Sequence, residues 1–499
     1  MISMLFRCAY VTTIVCALQV AVVSAQHQTA TTSPVSLNSN LGYTIGLRPV
    51  NFGIANLPTL HSYSVGTHDG KWVMLAGRTN GLHGFTSSGS ANFPPASQNR
   101  EVWVIDPASG QSWHRSLQDP SSGLSNNDVA ALTTTNNQFM QRGDRLYMVG
   151  GYGANATSGF STHNALSAID LPGIVDWVTT GSGTASNHIR MVRDNTFRVT
   201  GGAMYEMGGR AHLVFGQNFL GGYIPGSNGD YTRQVRSFDI VDDGTTLGFS
   251  NLTQTSPLPE YRRRDLNVFP TLSRNSNGSL TQGLTALSGV FTESDGAWTV
   301  PVEIDSNGQP SMADPNAAGT FKQGMNGYHS AKLGLFSEST GAMHEILFGG
   351  ITLVDYDRAT QQFFQDDDMP WTNSITAVVR DELGQYEQTL LGAFPDLFDA
   401  EGNLLRFGAN AEFLALDGLG LYENGVINLD AITGTTVLGH IYGGLFSNAP
   451  HVRGVPGAIS GASNIVWEVT LTPVPEPTSV LLLTLGSVSL LLRRRRSNN

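Results

Sequence analysis

The sequence predicts an all-β fold, a β-propeller of six four-stranded sheets stacked around a common axis. Three observations carry that prediction. Only 14% of residues are charged, while 57 of 499 are glycine, the balance of a turn-rich β protein. One apolar segment ending in a small residue plus glycine recurs six times: WVMLAGR (72–78), RLYMVGGY (145–152), AHLVFGQ (211–217), LTALSGVF (284–291), EILFGGI (345–351) and GHIYGGLF (439–446). After each comes a loop of variable length and then an alternating strand: REVWVID, ALSAID, VRSFDIV, WTVPVEID, SITAVVRD and NIVWEVTL. Such sheets cannot each shelter an apolar face alone, but radial stacking buries them all.

The first residues are expected to be a leader. Arg7 precedes an apolar run from Cys8 to Val23, and Val23-Ser24-Ala25 supplies the small residues a signal peptidase needs before Gln26. Cleavage between Ala25 and Gln26 is expected, with residues 1–25 as signal peptide and the polar tract 26–40 as a flexible linker. The two cysteines, Cys8 and Cys16, both fall in this leader. The mature chain would then lack disulfides, thiolate metal sites and any cysteine nucleophile.

The propeller is expected over residues 41–473. LGYTIGLRPVNFGI (41–54) precedes the first repeat, and the last repeat runs out after VWEVTLTP (466–473) without a fourth strand. The N-terminal strand is therefore expected to complete the last blade. Most glycine strands are entered through turns such as THDG, QRGD or EMGG, which supply the φ > 0 residue of a tight hairpin. In the first repeat the alternating strand continues through DPASGQSW to an aromatic fourth strand. IDLPGIVDW and DIVDDGTTLGF look like the same arrangement, and EIDSNGQPSM and RDELGQYEQ like looser copies. The glycine positions step by 61 to 94 residues, the longest step implying an insertion around 392–430. Small-plus-glycine ends let backbones crowd near the axis.

This pattern resembles the kelch type of propeller, with His61-Ser62 and His329-Ser330 ahead of two glycine strands. The resemblance spans most of residues 41–473 and is loose in detail. Some kelch propellers are galactose oxidases, whose copper radical needs a Tyr–Cys crosslink, and a mature chain without cysteine lacks it. Others isomerise sialic acids with acid/base groups at the axial mouth.

The C-terminus is VPEPTSVLLLTLGSVSLLLRRRR (474–496). Pro475-Glu476-Pro477 reads as an extended hinge. The 13 uncharged residues from Val480 to Leu492 would span about 20 Å as a helix, short of a hydrocarbon core of about 30 Å. Arg493, Arg494, Arg495 and Arg496 would stay on the cytoplasmic side. This block, residues 474–499, resembles the PEP-CTERM sorting signal of Gram-negative bacteria. The resemblance implies a transient transmembrane helix, recognition by a membrane-embedded exosortase, removal of the tail, and delivery to the cell surface or extracellular matrix.

Without leader and tail the body holds 23 basic and 39 acidic residues, a net charge of −16 with neutral histidines. That disfavours nucleic acid and anionic lipid as partners. The densest positive run, YRRRDL (261–266), presents Arg263, Arg264 and Asp265; blade-edge ion pairing is the plain expectation, a carboxylate- or uronate-binding fork near the axis the functional one. His329 joins them as an acid/base candidate. Asp366, Asp367 and Asp368 in QDDDMPW offer oxygen ligands of the kind calcium takes, without the alternating spacing of a calcium loop, so a solvated loop is favoured. No other cofactor is indicated. Trp371, expected in a loop, is the best tryptophan for stacking on a sugar ring, the other six being expected in the core. The mature histidines show no metal-binding spacing, and no catalytic glycine motif is present. The function expected is a non-catalytic, exported module that binds glycans or proteins of the surface matrix. The alternative is a carbohydrate-active isomerase, lyase or hydrolase on the same scaffold.

Overall fold

A computed structural model describes residues 32–37, 41–157, 159–227 and 229–474 of the chain. Alternating strands assemble into five four-stranded antiparallel sheets and one six-stranded sheet, arranged as a β-propeller. In chain order, the first sheet holds Ser64–His68, Lys71–Leu75, Glu101–Asp106 and Gln111–Ser116. The second holds Gln138–Arg142, Arg145–Val149, Ala165–Asp170 and Ile189–Arg193. The third is Ala203–Met207, Arg210–Val214, Val235–Asp242 and Leu247–Gln254. The fourth is Asn267–Arg274, Leu280–Leu287, Val302–Ile304 and Pro310–Met312.

The fifth sheet departs from the expected form. Its four antiparallel strands, Ala331–Ser337, Ala342–Ile351, Trp371–Arg380 and Tyr386–Ala393, gain a parallel strand at each edge, Ile427–Asn428 inside and Val35–Ser36 outside. Six four-stranded blades are expected; the structure has five, the remaining large sheet being six-stranded and of mixed parallel and antiparallel pairing. The segment 392–430, expected to be an insertion, supplies the inner edge strand Ile427–Asn428 and the innermost strand of the last sheet, Ala411–Ala415.

That last sheet runs Tyr43–Val50, Val466–Pro473, Thr436–Gly443, Ala411–Ala415. The N-terminal strand pairs with Val466–Pro473 over eight residues, from Tyr43 opposite Pro473 to Val50 opposite Val466. Each neighbouring pair of sheets shares an apolar cluster. Val73 and Leu146 meet between the first and second, Leu166 and Leu213 between the second and third, and Val214 and Leu284 between the third and fourth. Phe269 and Leu347 join the fourth to the fifth, Ile346 and Trp467 the fifth to the last, and Trp72 and Tyr442 the last to the first. Burial therefore runs around the whole ring, as period-2 strands with both faces covered require.

Two glycines show why the strand ends are small. Gly77 has φ +82°, and a Cβ there would lie 2.6 Å from the His61 carbonyl oxygen. Gly349, φ +63°, would place its Cβ 2.2 Å from that of Phe407. Neither backbone position admits a side chain.

One segment read as a turn and strand is a helix. In IDLPGIVDW, Ile169 and Asp170 end the strand Ala165–Asp170 and the rest belongs to the helix Leu171–Thr180, with Pro172 in its first turn and Gly181 in the left-handed conformation at its end. Leu171, Ile174, Val175, Trp177 and Val178 form its buried face, set against the first and second sheets. Proline and glycine suggested a turn, yet they sit where helices tolerate them. Among the described residues no helix is long and apolar enough to cross a membrane. The expected span (480–492), the sorting residues Pro475, Glu476, Pro477 and Arg493 to Arg496, and the cleavage pair Ala25 and Gln26 lie outside the described residues.

Candidate functional site: the axial mouth and its loop face

One residue just ahead of each innermost strand adopts a left-handed backbone: Ser62 (φ 53°), Asn136 (53°), Gly201 (67°), Asp265 (48°), His329 (49°) and Asn410 (56°). Short polar residues tolerate this conformation best after glycine, because their side chains bond locally. Their backbones join around the axis. The Asn136 N–H donates to Ser62 O (3.2 Å), Gly201 to Asn136 (3.2 Å), Asp265 to Gly201 (2.7 Å), Asn410 to His329 (2.6 Å) and Ser62 to Asn410 (3.1 Å).

Their side chains line the mouth. Asn136 Nδ2 donates to Asp265 Oδ1 (3.2 Å), and Asn410 Nδ2 donates to Ser62 Oγ (2.5 Å). Arg264 Nη1 donates to Asp265 Oδ2 at 2.6 Å, and His329 Nδ1 lies 3.9 Å from Asp265 Oδ1. Arg264 also donates from Nε to the Tyr231 hydroxyl (3.0 Å) and from Nη2 to that of Tyr223 (3.4 Å), while its guanidinium covers the Phe291 ring.

The electrostatics follow from this packing. Burial opposes the Arg264 charge, but Asp265, Tyr231 and Tyr223 outweigh it and hold its pKa above the usual value. Burial lowers the His329 pKa against the pull of Asp265, and burial with nearby Arg78 takes His61 down to about 3. At neutral pH both imidazoles are therefore uncharged.

A roof covers this mouth. His83 stacks on Phe93 (5.3 Å) and meets Tyr223 edge-on (4.6 Å); Phe93 also packs on Tyr152, and Asn92 Nδ2 donates to Tyr223 O at 2.8 Å. The space left between this roof and Arg264–Asp265 is about 40 Å³, enough for water and too small for a sugar ring. Below lies an axial channel of about 830 Å³, whose wall includes Tyr205, His329, Lys332 and Glu412. Burial opposes the Lys332 charge, but Tyr205 and Glu412 outweigh it and raise its pKa; burial raises that of Glu412 against Lys332.

The same side of the ring carries every connection between second and third strands, since antiparallel strands bring these loops beside the starts of the innermost strands. Four of them contain an additional hairpin: Tyr152–Ala154 with Phe160–Thr162, Gln217–Asn218 with Asp230–Tyr231, Val354–Asp357 with Gln362–Gln365, and Leu445–Ser447 with Ser460–Ala462. Beside the third of these hairpins opens a cleft of about 970 Å³.

The structure therefore brings Arg264, Asp265 and His329 together at the axis. Arg263 turns the other way. It is fully buried, its Nε, Nη1 and Nη2 donate to the carbonyls of Glu260, Ser288 and Val300, and it lies over Trp298. Burial brings its pKa down to about 9. It is a core strut, not a ligand fork. Trp371 is not in a loop: it begins a strand of the fifth sheet and is 3% exposed, packed with Ala409 and Leu445 at the base of the cleft. Asp366, Asp367 and Asp368 do not converge. Asp366 pairs with His451 (2.9 Å), Asp367 accepts from Gln365, and among the described residues no three His, Cys, Asp or Glu side chains gather as metal ligands. Asn136, Asn410, Tyr223 and His83 escaped the sequence reading. For the first two, a polar residue just before each inner strand was the available signal; nothing local marks the others.

A β-propeller with a paired, roofed axial mouth is the class of protein this geometry defines. Residues 473–496 match the PEP-CTERM protein-sorting motif, which implies exosortase processing during export and delivery to the cell surface. No curated protein matches the sequence. Similar solved structures include "Structure of YjhT" (11% identity, TM-score 0.41), covering 83% of this chain and 100% of the other. A cryo-EM structure of RAG in complex with one melted and one unmelted RSS is 12% identical (TM-score 0.38; 85% and 99% covered). An S. cerevisiae assembly of dbp5 bound to nup159, gle1, ip6 and adp is 11% identical (TM-score 0.32; 88% and 98% covered). At identities and TM-scores this low, the likenesses bear on neither ligand nor activity.

Proposed function

We propose that the protein is a surface-delivered, non-catalytic module that binds glycans or proteins of the extracellular matrix through its loop face. The propeller is of kelch type in this reading, with the six-stranded sheet acting as its sixth blade. The observation that carries the proposal is the loop face itself: four supplementary hairpins are built on one side of the ring, where connections of two to six residues would suffice. The internally paired mouth supports binding over catalysis. Arg264 and Asp265 neutralise each other at 2.6 Å, and the roof leaves only about 40 Å³ above them, too little to admit a sugar ring.

A second reading, a carbohydrate-active enzyme, draws on the axial channel, where Lys332, Glu412 and His329 share one wall. One experiment separates the two. Purified protein lacking the sorting tail is applied to a glycan array and, in parallel, to acidic and neutral polysaccharides with product analysis. Binding without turnover supports the module. Turnover that disappears in Glu412→Gln or His329→Ala defeats it.

A further inference from the structure

The cleft beside the fifth sheet is a large opening on the loop face with polar groups held in place but not all hydrogen-bonded among the described residues. One wall is the hairpin Val354–Asp357/Gln362–Gln365. Asp355 and Phe364 are directly opposed across it, so both project from the same face, while Tyr356 and Phe363 project from the other and pack against Met325 and Leu353. The start of the strand Trp371–Arg380, to which the hairpin is hydrogen-bonded, forms the base, and the segment that carries Arg406 also lines the cleft.

Asp355 is fixed through one oxygen. Its Oδ1 accepts from Thr372 Oγ1 (2.6 Å), Ser374 Oγ (2.8 Å) and the Tyr356 N–H (2.8 Å). Its Oδ2 has no partner among the described residues. Arg406, also in the lining, donates from Nη1 to the Leu404 carbonyl at 3.0 Å; burial lowers its pKa against the attraction of the Asp355 charge, and its Nε and Nη2 make no hydrogen bond among the described residues. Phe364 is 42% exposed, on the outer strand of the hairpin whose Gln362 and Gln365 are exposed as well. The hairpin is tied to both neighbouring loops by ion pairs, Arg358 with Asp396 and Asp366 with His451. An immobilised acceptor, a donor and a bare aromatic ring in one cleft are the elements that recognise a hydroxylated ring: hydroxyls bond to the carboxylate and guanidinium, and C–H groups lie on the aromatic face.

We propose that this cleft binds a neutral oligosaccharide, with Asp355 Oδ2 and Arg406 engaging sugar hydroxyls and Phe364 stacking against a pyranose ring. The inference rests on the glycan-binding reading above and gives it a place and a ligand class. The volume, about 970 Å³, is at the top of the range of small-molecule sites, room for several sugar units. Neutrality follows from charge. Asp355, Asp357, Asp366 and Asp396 line the cleft against Arg358, Arg406 and His451, and the body carries a net charge of −16, so a uronate chain would be repelled.

The test uses the full propeller and two panels of trisaccharides, neutral β-linked glucose or galactose trimers and their uronate counterparts, with affinity measured by calorimetry. Wild type is expected to bind at least one neutral trimer and no uronate. Asp355→Asn and Phe364→Ala are each expected to weaken that binding at least about tenfold. Asparagine keeps an acceptor for Thr372 and Ser374, and Phe364 is on the surface, so both variants should melt as wild type does. If wild type binds a neutral trimer and both variants match it, the cleft is the wrong place while glycan binding stands. Binding of uronates alone overturns the ligand class. Binding of no trimer in either panel overturns the inference and the glycan arm of the reading beneath it.

Discussion

The backbone N–H of Ser62 donates to the carbonyl of Asn410 at 3.1 Å, joining the first sheet to the last across 348 positions of sequence. The same two residues meet again through their side chains, Asn410 Nδ2 on Ser62 Oγ. Closure at the axis is thus made by polar groups, while closure at the periphery is made by the strand Tyr43–Val50.

The peripheral closure should be indispensable. Deleting residues 41–50 strips the whole partner of Val466–Pro473 and bares Trp467, Val469 and Leu471, all 1% exposed or less. Circular dichroism should show loss of the cooperative melt and gel filtration should show aggregation. Tyr43→Ala, which removes a core ring and its bond to His344 Nδ1 at 3.1 Å, should cost about 3–5 kcal/mol. A deletion variant that melts like wild type would refute this account of closure.

Two glycines separate conformational strain from collision. Gly70 (φ +72°) has nothing within 4 Å of a built Cβ, so Gly70→Ala should cost only the left-handed penalty, about 1–2 kcal/mol. Gly77 meets the His61 carbonyl oxygen at 2.6 Å and Tyr63 Cβ at 2.8 Å. Gly77→Ala should therefore be clearly the more destabilising in urea titration, and equal losses would remove the close-approach argument.

Arg263 should behave as structure. Removing it leaves the buried carbonyls of Ser288 and Val300 and the part-buried carbonyl of Glu260 without this donor. Arg263→Ala should destabilise by about 3–5 kcal/mol, and Arg263→Lys should rescue little because an ammonium cannot copy the planar fork. Thermal melts of the three forms decide it.

Stability should peak near pH 6.5. Burial pushes the Glu345 pKa up to about 8, so its contribution is complete below its unfolded value and is lost as pH rises through 8. Burial takes His61 down to about 3, and His163 and His344 to about 4. Their contribution is present above the unfolded histidine value of about 6.5 and is lost as pH falls through the folded values. Glu345→Gln should flatten the alkaline limb of a Tm-against-pH curve and steepen the acid limb between the unfolded carboxyl value and about pH 6.5; an unchanged alkaline limb would place the sensitivity elsewhere.

Much of this architecture was legible in the chain. Alternation and turn glycines are local signals, so WVMLAGR or EILFGGI reveals its strand without knowledge of its neighbours. The orphan strand at residues 41–54 pointed to closure because the last repeat lacked a partner. What stayed hidden depends on context. Leu171–Thr180 looks like a turn until Pro172 and Gly181 are seen at its ends, and Ala411–Ala415 has no glycine signature to separate it from a long loop. In the site, the run of arginines was visible, but which of Arg263 and Arg264 faces the axis is set by the left-handed turn at Asp265, a property of the ring as a whole.

The pairing of Tyr43–Val50 with Val466–Pro473 also sets where the fold stops. The two strands are separated by some 420 positions of sequence, so the last sheet is complete only when both ends of the propeller are in place. The Val474 N–H donates to the Gly42 carbonyl at 2.7 Å, immediately where the sorting motif takes over. The strand pair that completes the ring therefore ends where the sorting motif begins, so the fold and the motif occupy adjoining stretches of chain that meet at Pro473.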